Sequence, residues 1–329
     1  MAKIVLVAGC SHSPYLFTPP ERWAESRARR PIRADVPEDS PAVNKAKHAQ
    51  CLAAFARVRA KVAEVKPDVL LIFGDDQLEQ FNFTNFPAFG LYLGEDVEGP
   101  HPIEGYARRV LFQEGGESTV CAKGHPELGK RLIEGLFDRD FEVAFSLDRP
   151  NKERGIGHAF MNPPFYLTPN YDIPILPFWM NCYYPPQPSG KRCYQLGKAV
   201  RQVIEEMPLD LRVAVVGSGG LWHTPGAPNA YLDEEFDQRI VAHLKTGNVK
   251  GAAEYFDTVP WSYPTERPTE GPGAHEWTGM AGGAGNGTGE TRAWLTAAAV
   301  VDGQAPSFLE YVPVYASPIG VGVAYWEMD

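Results

Sequence analysis

The sequence predicts an α/β fold: a single domain with a central mixed sheet flanked by helices and a site at the carboxyl ends of the strands. Short runs rich in Val, Ile and Leu, too short for helices, recur along the 329 residues and are typical of buried strands. Segments with helical periodicity separate these runs. Because no internal repeat and no linker divides the chain, we expect one domain over residues 1–329.

The first part of the chain begins with a predicted strand at residues 3–8 (KIVLVA). Residues 19–41 are rich in Pro, Arg, Glu and Asp and are expected to form an exposed insertion. Apolar residues at i, i+3 and i+4 predict a helix over residues 44–65. A further apolar strand, PDVLLIFG, follows at residues 67–74, and residues 97–107 are interpreted as a loop.

The later part of the chain continues this mixture of helices and strands. Further helices are predicted over residues 126–137, 193–206 and 232–246 and from Glu290 onward, and further strands over residues 141–145, 174–181, 213–216, 308–314 and 320–326. The Gly- and Pro-rich residues 261–289 are expected to form an irregular loop.

The composition excludes several classes of function. A net charge of −10 leaves no basic block to neutralise phosphates, so we expect no nucleic-acid partner. No apolar run approaches the ~20 residues that span a bilayer. Residues 1–10 do not resemble a signal peptide, so a cytoplasmic location is expected. The five cysteines lack CxxC spacing and are expected to be reduced thiols.

Histidines follow two of the predicted strands. In residues 212–225 (RVAVVGSGGLWHTP) a buried strand ends in a Gly-rich turn that delivers His223. Residues 9–14 (GCSHSP) place His12 after the first strand in the same way. Ligands and catalytic groups of α/β proteins gather beyond the carboxyl ends of strands, and a histidine there can shuttle protons. The alternative for a single such histidine is a loop residue bonded to a backbone carbonyl.

Other polar residues occupy similar positions. Asp75, Asp76 and Gln77 follow the strand at residues 67–74, either as site residues or as caps of the next turn. His158 lies in a Gly-rich loop, and Glu290 opens a helix. Histidines plus a carboxylate with open positions form the facial triad of non-haem Fe(II) oxygenases.

Some motifs are absent and others are ambiguous. The chain has no P-loop, no G-x-G-x-x-G spacing and no G-x-S-x-G elbow, so nucleotide binding and that type of hydrolase are not supported. Residues 189–192 (SGKR) form either an anion-binding turn or a plain solvated helix start. His48, within the helix at residues 44–65, faces either the core or the site.

Seven motifs, spread over nearly the whole chain, carry a resemblance to a known family. They are SHSP at residues 11–14, PDVLLIFGDDQ at 67–77, GHPELG at 124–129, GIGHAF at 155–160, LPFWMNCYYPPQPSGKRCYQLG at 176–197, GSGGLWH at 217–223 and GTGETRAWL at 287–295. With these motifs the chain resembles the class III (type II) extradiol ring-cleaving dioxygenases of the β-subunit type, the group of protocatechuate 4,5-dioxygenase and gallate dioxygenase.

The resemblance implies a catalytic centre with Fe(II). In that family two histidines and a glutamate bind the iron, and by motif His12 and Glu290 are the first histidine and the glutamate. The neighbouring His275-Glu276 pair offers Glu276 as an alternative carboxylate, although the GTGETRAWL context favours Glu290.

Further roles are implied by the same motifs. His223 corresponds to the acid/base histidine, and His158 corresponds to a second histidine of the site. Ser317 matches a serine near the carboxylate or hydroxyl of the substrate. Trp222 is expected either to wall the aromatic ring or to be structural. Together these residues imply ring opening of a protocatechuate- or gallate-like catechol with O2, and the SGKR turn is a second candidate for recognising the substrate's acid group.

The chain departs from the family at Gln77, where members place the second iron histidine. Three explanations stay open: His48 replaces the missing ligand, Gln77 itself ligates, or the site binds no metal. In the last case the chain is a relative that binds a phenolic ligand or acts as a non-catalytic or differently catalytic subunit. A homodimer is expected, with any small helical partner subunit encoded as a separate polypeptide.

Overall fold

The structure is a computed structural model that describes residues 1–107, 118–184, 186–224, 230–259 and 287–328. Its strands are β1 (Lys3–Cys10), β2 (Val69–Gly74), β3 (Phe89–Tyr92), β4 (Asp96–Pro100), β5 (Thr119–Lys123), β6 (Ala144–Ser146), β7 (Ile175–Met180), β8 (Arg212–Ser218), β9 (Phe308–Val314) and β10 (Ile319–Glu327). Its α-helices are α1 (Trp23–Ala28), α2 (Pro41–Val65), α3 (Pro126–Phe137), α4 (His158–Leu167), α5 (Gly190–Glu206), α6 (Glu234–Lys245), α7 (Val249–Thr258) and α8 (Thr291–Ala299).

The described strands form an eight-stranded sheet in the order β6-β3-β7-β2-β8-β1-β10-β9, and β4 and β5 form a separate antiparallel pair. The central strands β7, β2, β8 and β1 are parallel. On one side β10 and β9 are antiparallel, and on the other β3 runs antiparallel to β7. The prediction of a mixed central sheet flanked by helices is confirmed.

The central sheet is buried on both faces, as the continuous apolar runs of its parallel strands predict. In β2, Val69, Leu71 and Phe73 belong to one hydrophobic cluster, and Leu70 and Ile72 belong to the other. Helices α3, α5, α6, α7 and α8 contribute to the first cluster, whereas α2 and α4 contribute to the second.

Several elements differ from the sequence prediction. Residues 97–107 are not a loop, because β4 and a π-helical turn at Pro102–Ala107 occupy them. Exposed and buried residues alternate in β4 from Asp96 to Gly99, and the strand contains Gly and Pro, so it lacks the apolar run used to find strands. The predicted exposed insertion at residues 19–41 includes α1, and its Trp23 is fully buried. Helices α4 and α7 and strands β3 and β5 were not predicted, and His158, expected in a loop, is the first residue of α4.

The strand order brings several of the predicted site residues to one edge of the sheet. Strand β8 lies between β1 and β2 and is parallel to both, so the carboxyl ends of the three strands reach the same edge of the sheet. His12 lies two residues after β1, and Asp75 follows β2 directly. The turn at Gly219 follows β8, and Glu290 immediately precedes α8. Among the described helices, none is long and apolar enough to cross a membrane.

Candidate metal centre

The hydrogen bonds of His12 hold its ring so that Nε2 faces the centre. Its carbonyl accepts a hydrogen bond from Asn162 Nδ2 at 2.6 Å, and its Nδ1 lies 2.9 Å from Ser218 Oγ. The hydroxyl of Ser218 donates its single hydrogen to the Ala159 carbonyl, so it accepts from His12 Nδ1–H. In the neutral imidazole the lone pair therefore lies on Nε2, which is buried, has no hydrogen-bond partner among the described residues and is oriented to bind a cation.

Glu290 presents a carboxylate that is held at both oxygens. Its Oε2 accepts the Gly220 N–H at 2.6 Å, and its Oε1 accepts the Tyr183 hydroxyl. Gly219 has a φ of +147°, and a Cβ there would lie 2.6 Å from Glu290 Cβ, so this turn requires glycine. Burial alone raises the pKa of Glu290, but the neighbouring His12 and the hydrogen bonds outweigh it and lower that pKa, which keeps the group ionised.

Asp75 brings a second carboxylate to the same point. Its Oδ1 lies 3.7 Å from His12 Nε2, and Glu290 Oε1 lies 3.4 Å from the same nitrogen. Burial, together with the charge of Glu290, raises the pKa of Asp75 to about 6. In contrast, both oxygens of Asp76 accept backbone N–H groups of residues 79–81, so Asp76 is the cap of the turn.

The cluster fits a metal ion. The ligand atoms of His12, Asp75 and Glu290 lie within 4.8 Å of one another, and all three residues are buried. Ligands at ~2.1 Å from a metal are about 3 Å apart at right angles and about 4.2 Å apart on opposite sides. The distances of 3.4 Å and 3.7 Å from His12 Nε2 lie between these two values. No described Lys or Arg forms an ion pair with either carboxylate. A cation would balance the two buried negative charges, which are otherwise costly.

His223 lies beside this cluster as a partly buried imidazole. Its backbone N–H donates to the Gly287 carbonyl at 2.8 Å, and its backbone pairs with Ile319. Burial lowers the pKa of His223 to about 4, against the opposing effect of Glu290, so the ring is neutral near pH 7. Ser317 is buried in the turn between β9 and β10, two residues before Ile319.

His158, the first residue of α4, is paired with a carboxylate. Its backbone N and its Nδ1 lie 3.3 Å and 2.9 Å from Glu79 Oε1. Its ring packs edge-on against the His12 ring, with the centroids 4.7 Å apart. Burial alone lowers the pKa of His158, but Glu79 outweighs it and raises this pKa to about 9. The ring is therefore an imidazolium at neutral pH in the metal-free protein, with Nδ1–H bound to Glu79.

We expect the Glu79→Gln substitution to lower the pKa of His158 from about 9, because burial is then opposed only by the charges of Asp75 and Glu290. In the wild type this pair stabilises the fold fully below pH 6.5, and the contribution is lost as the pH rises through about 9. NMR titration of 13C-labelled histidines measures the pKa of His158 in the wild type and in the Glu79→Gln variant, both free of metal. Glu127→Gln on the surface of α3 is the matched control, and a pKa that stays near 9 in Glu79→Gln contradicts the assignment.

The two predicted candidates for the missing ligand have different surroundings. Gln77 is half-buried, and its Nε2 lies 3.4 Å from Glu290 Oε1, so its amide reaches the edge of the cluster. His48 instead places Nε2 at 2.9 Å from the Leu16 carbonyl and packs its ring edge-on against Trp23. These contacts hold His48 in the packing of α2.

Two other predicted residues contribute differently. The indole of Trp222 is buried, donates to the Tyr231 carbonyl at 2.8 Å and packs against Phe236, which are structural contacts. Its backbone neighbours His223, so it supports the loop that carries this histidine. The alternative carboxylate Glu276 lies outside the described residues.

The SGKR turn is neither an anion-binding turn nor a plain solvated helix start, the two alternatives left open by the sequence. The backbone N–H groups of Gly190 and Lys191, at the start of α5, donate to the carboxylate of Asp257 at 2.6 Å and 2.9 Å. The protein's own carboxylate therefore occupies the position that an anion would take. The guanidinium of Arg192 lies 3.7 Å from the centroid of the Phe141 ring.

Three residues that orient the centre were not predicted from the sequence. Ser218 contacts His12, Tyr183 contacts Glu290, and Glu79 pairs with His158, across 206, 107 and 79 positions of the chain. Ser218 and Tyr183 do lie within the GSGGLWH and YYPP motifs. Those motifs mark their positions but do not indicate which residues they contact.

Comparisons with known proteins identify the family of this chain. The family described as the catalytic LigB subunit of aromatic ring-opening dioxygenase matches residues 35–323. Gallate dioxygenase of Pseudomonas putida is 34% identical over 122 residues, which cover 36% of this chain and 34% of that protein. A 2,3-dihydroxyphenylpropionate/2,3-dihydroxicinnamic acid 1,2-dioxygenase of Comamonas testosteroni is 28% identical over 261 residues, which cover 74% of this chain and 67% of that protein.

A second enzyme of that name, from Photorhabdus laumondii, is 27% identical over 190 residues, 57% of this chain and 53% of that protein. The chain thus spans about a third of the gallate dioxygenase and about half of the Photorhabdus enzyme. The crystal structure of an uncharacterized Escherichia coli K12 protein has the same fold, with a TM-score of 0.51 and 14% identity over 98% of this chain and 99% of that one. Since the family match covers most of its length, the chain belongs to the family of the catalytic LigB subunit of aromatic ring-opening dioxygenase.

Proposed function

We propose that this chain is an Fe(II)-dependent extradiol dioxygenase that opens the ring of a protocatechuate- or gallate-like catechol with O2. The observation that carries the proposal is the buried group of acceptor atoms around His12 Nε2 and Glu290 Oε1, which are 3.4 Å apart, beside His158 and His223. Family membership supports the reaction class.

His12 and Glu290 would hold the metal. Bound Fe(II) supplies Lewis acidity and a route for electrons between the aromatic ring and O2. The protein's part is to keep these ligands deprotonated and oriented. Ser218 does so at His12 Nδ1, and Gly220 and Tyr183 do so at the two oxygens of Glu290.

The two histidines beside the cluster are suited to opposite tasks. His223 is neutral because burial lowers its pKa, so it is able to take a proton from a catechol hydroxyl near pH 7. His158 carries a positive charge because Glu79 raises its pKa to about 9, so it is suited to stabilising an anionic oxygen of the substrate. Ser317, in the turn next to the strand that pairs with His223, is proposed to contact the substrate's carboxylate or hydroxyl.

Oxygen consumption tests this function. Protein reconstituted anaerobically with Fe(II) is expected to take up O2 with protocatechuate or gallate and to form a yellow ring-opened product. The metal-free protein and the monophenol 4-hydroxybenzoate, which lacks the diol, are the controls. A folded, metal-loaded protein that consumes no O2 with any catechol would overturn the proposal and favour a relative that binds a phenolic ligand without opening its ring.

A further inference from the structure

Asp75 is a buried carboxylate that accepts no hydrogen bond from the described residues. Its side chain is almost completely buried, and neither oxygen has a hydrogen-bond partner among the described residues. The adjacent Asp76 accepts three backbone hydrogen bonds, so the local turn is capped without Asp75. Buried carboxylates are normally paired, and one that lacks a partner calls for an explanation.

The carboxylate of Asp75 faces the imidazole of His12. Asp75 Oδ1 lies 3.7 Å from His12 Nε2, and that nitrogen also lacks a hydrogen-bond partner in the described part of the chain. With Nδ1–H bound to Ser218, a neutral imidazole carries its lone pair on this nitrogen, and 3.7 Å is too far for a hydrogen bond to Asp75. Two acceptors that face each other at this distance, beside Glu290, are compatible with one shared cation.

The two other candidate ligands, His48 and Gln77, are less well positioned to bind the metal. His48 is engaged with the Leu16 carbonyl and Trp23 within the packing of α2. The Gln77 amide lies at hydrogen-bonding distance from Glu290 Oε1, where it donates to the carboxylate and helps to orient it. A neutral amide oxygen is also a weaker ligand for a divalent cation than a carboxylate.

We propose that Asp75 completes the metal site, so that the ion is held by one imidazole and two carboxylates, His12, Asp75 and Glu290, while Gln77 orients Glu290. This inference rests on the proposed function only because both concern the metal site at His12 and Glu290. Two carboxylates neutralise a divalent cation, and an oxygen-rich ligand set is suited to Mn(II) as well as to Fe(II). Metal binding can therefore be measured without ring cleavage.

The test is anaerobic calorimetric titration of the full chain with Mn(II) and, separately, Fe(II). We expect Asp75→Asn to weaken binding at least about tenfold, and Gln77→Leu and His48→Gln to weaken it less. Asp172→Asn, at an exposed position, is the matched control and should bind like the wild type. If Asp75→Asn binds as tightly as the wild type, or if Gln77→Leu or His48→Gln has the larger effect, the assignment of Asp75 is overturned.

Thermal unfolding distinguishes a ligand from a structural residue. In metal-free protein, Asp75→Asn removes one of two neighbouring buried charges and should unfold at the same or a higher temperature than the wild type. Only the rise in Tm on adding Mn(II) should be lost. A Tm that is lower without metal, together with an unchanged rise on adding Mn(II), would assign Asp75 to the fold instead and overturn the proposal.

A measurement on the wild type alone keeps the proposal testable if the variant does not fold. Pulsed EPR of the Mn(II)-loaded protein should detect one coordinated imidazole nitrogen, from His12. Two coordinated imidazoles would overturn the proposal, because a second histidine would then fill the third position. Absence of metal binding by the wild type would overturn this inference and the proposed function together, whereas ring cleavage combined with metal binding that is unaffected by Asp75→Asn would overturn the inference alone.

Discussion

Replacing His223 with phenylalanine is expected to slow ring cleavage by about 10²-fold or more while the protein still folds and binds metal. The reason is that His223 is the neutral imidazole beside the cluster, and phenylalanine keeps the ring shape but cannot accept a proton. Its Nδ1 has no hydrogen-bond partner among the described residues, so the substitution breaks no side-chain hydrogen bond at that atom. Initial rates of O2 uptake at saturating catechol measure the effect.

The same substitution at His243 provides the control. His243 lies in the last turn of α6, where its ring stacks on Tyr255 with the centroids 6.3 Å apart, in a contact that phenylalanine can keep. His243→Phe should therefore cleave catechol at the wild-type rate. If His223→Phe also turns over normally, with Fe(II) bound, His223 is not the base of the reaction.

The pH profile adds an independent check on His223. Burial lowers its pKa to about 4, so its base form is present throughout the neutral range. The rate limited by this base should hold from neutral pH down to about pH 5 and fall as the pH approaches 4, where the imidazole becomes protonated.

The central part of the fold was predictable from the sequence because its strands carry their own signal. β1, β2, β7 and β8 are continuous apolar runs, as expected for parallel strands that are covered on both faces. β4 was missed because its burial alternates from Asp96 to Gly99 and it includes Gly and Pro. Such a peripheral strand depends on its partner β5, and pairing across a long stretch of chain leaves no local pattern.

The candidate site was predictable to the level of which residues meet, but their pairings were not. Parallel strands that end at one edge bring His12, His223 and the residues after β2 together, and the sequence indicates those strand ends. The choice between Asp75 and Asp76 depends on backbone direction after β2, which adjacent identical residues do not reveal. The charge state of His158 depends on Glu79, and the sequence offers no signal for that pair.

A second large effect is expected from replacing Trp294, which packs on β1 next to the segment that carries His12. The ring of Trp294, on α8, is buried against β1 and β10, and its Nε1 donates to the Gly219 carbonyl at 3.3 Å. A Cβ at Gly9 would overlap this ring, and a Cβ at Gly322 would lie 2.9 Å from its Cζ2. The two strand glycines are thus needed because the indole lies directly on the backbone, next to the segment that carries His12.

Trp294→Ala is expected to lower the free energy of unfolding by about 3–5 kcal/mol, because it removes a fully buried ring and leaves a cavity. Gly9→Ala in the wild type should lower it by about 1–3 kcal/mol through overpacking. In the Trp294→Ala background, however, the new methyl group enters the cavity, so the same Gly9→Ala change should cost little or become stabilising. Urea unfolding of the four proteins gives the coupling energy, which for residues in contact is about 0.5–3 kcal/mol.

Gly90→Ala tests whether the effect belongs to this contact or to any glycine in the sheet. Gly90 lies in β3, and a Cβ there would have its nearest neighbour at 3.5 Å, an ordinary van der Waals distance. This substitution should leave stability nearly unchanged, because no side chain has to move and the unfolded chain loses some freedom. If Gly9→Ala costs the same with and without the Trp294 ring, the indole is not the reason for glycine at position 9. The packing of α8 against β1 would then not be what fixes the position of the strand end that carries His12.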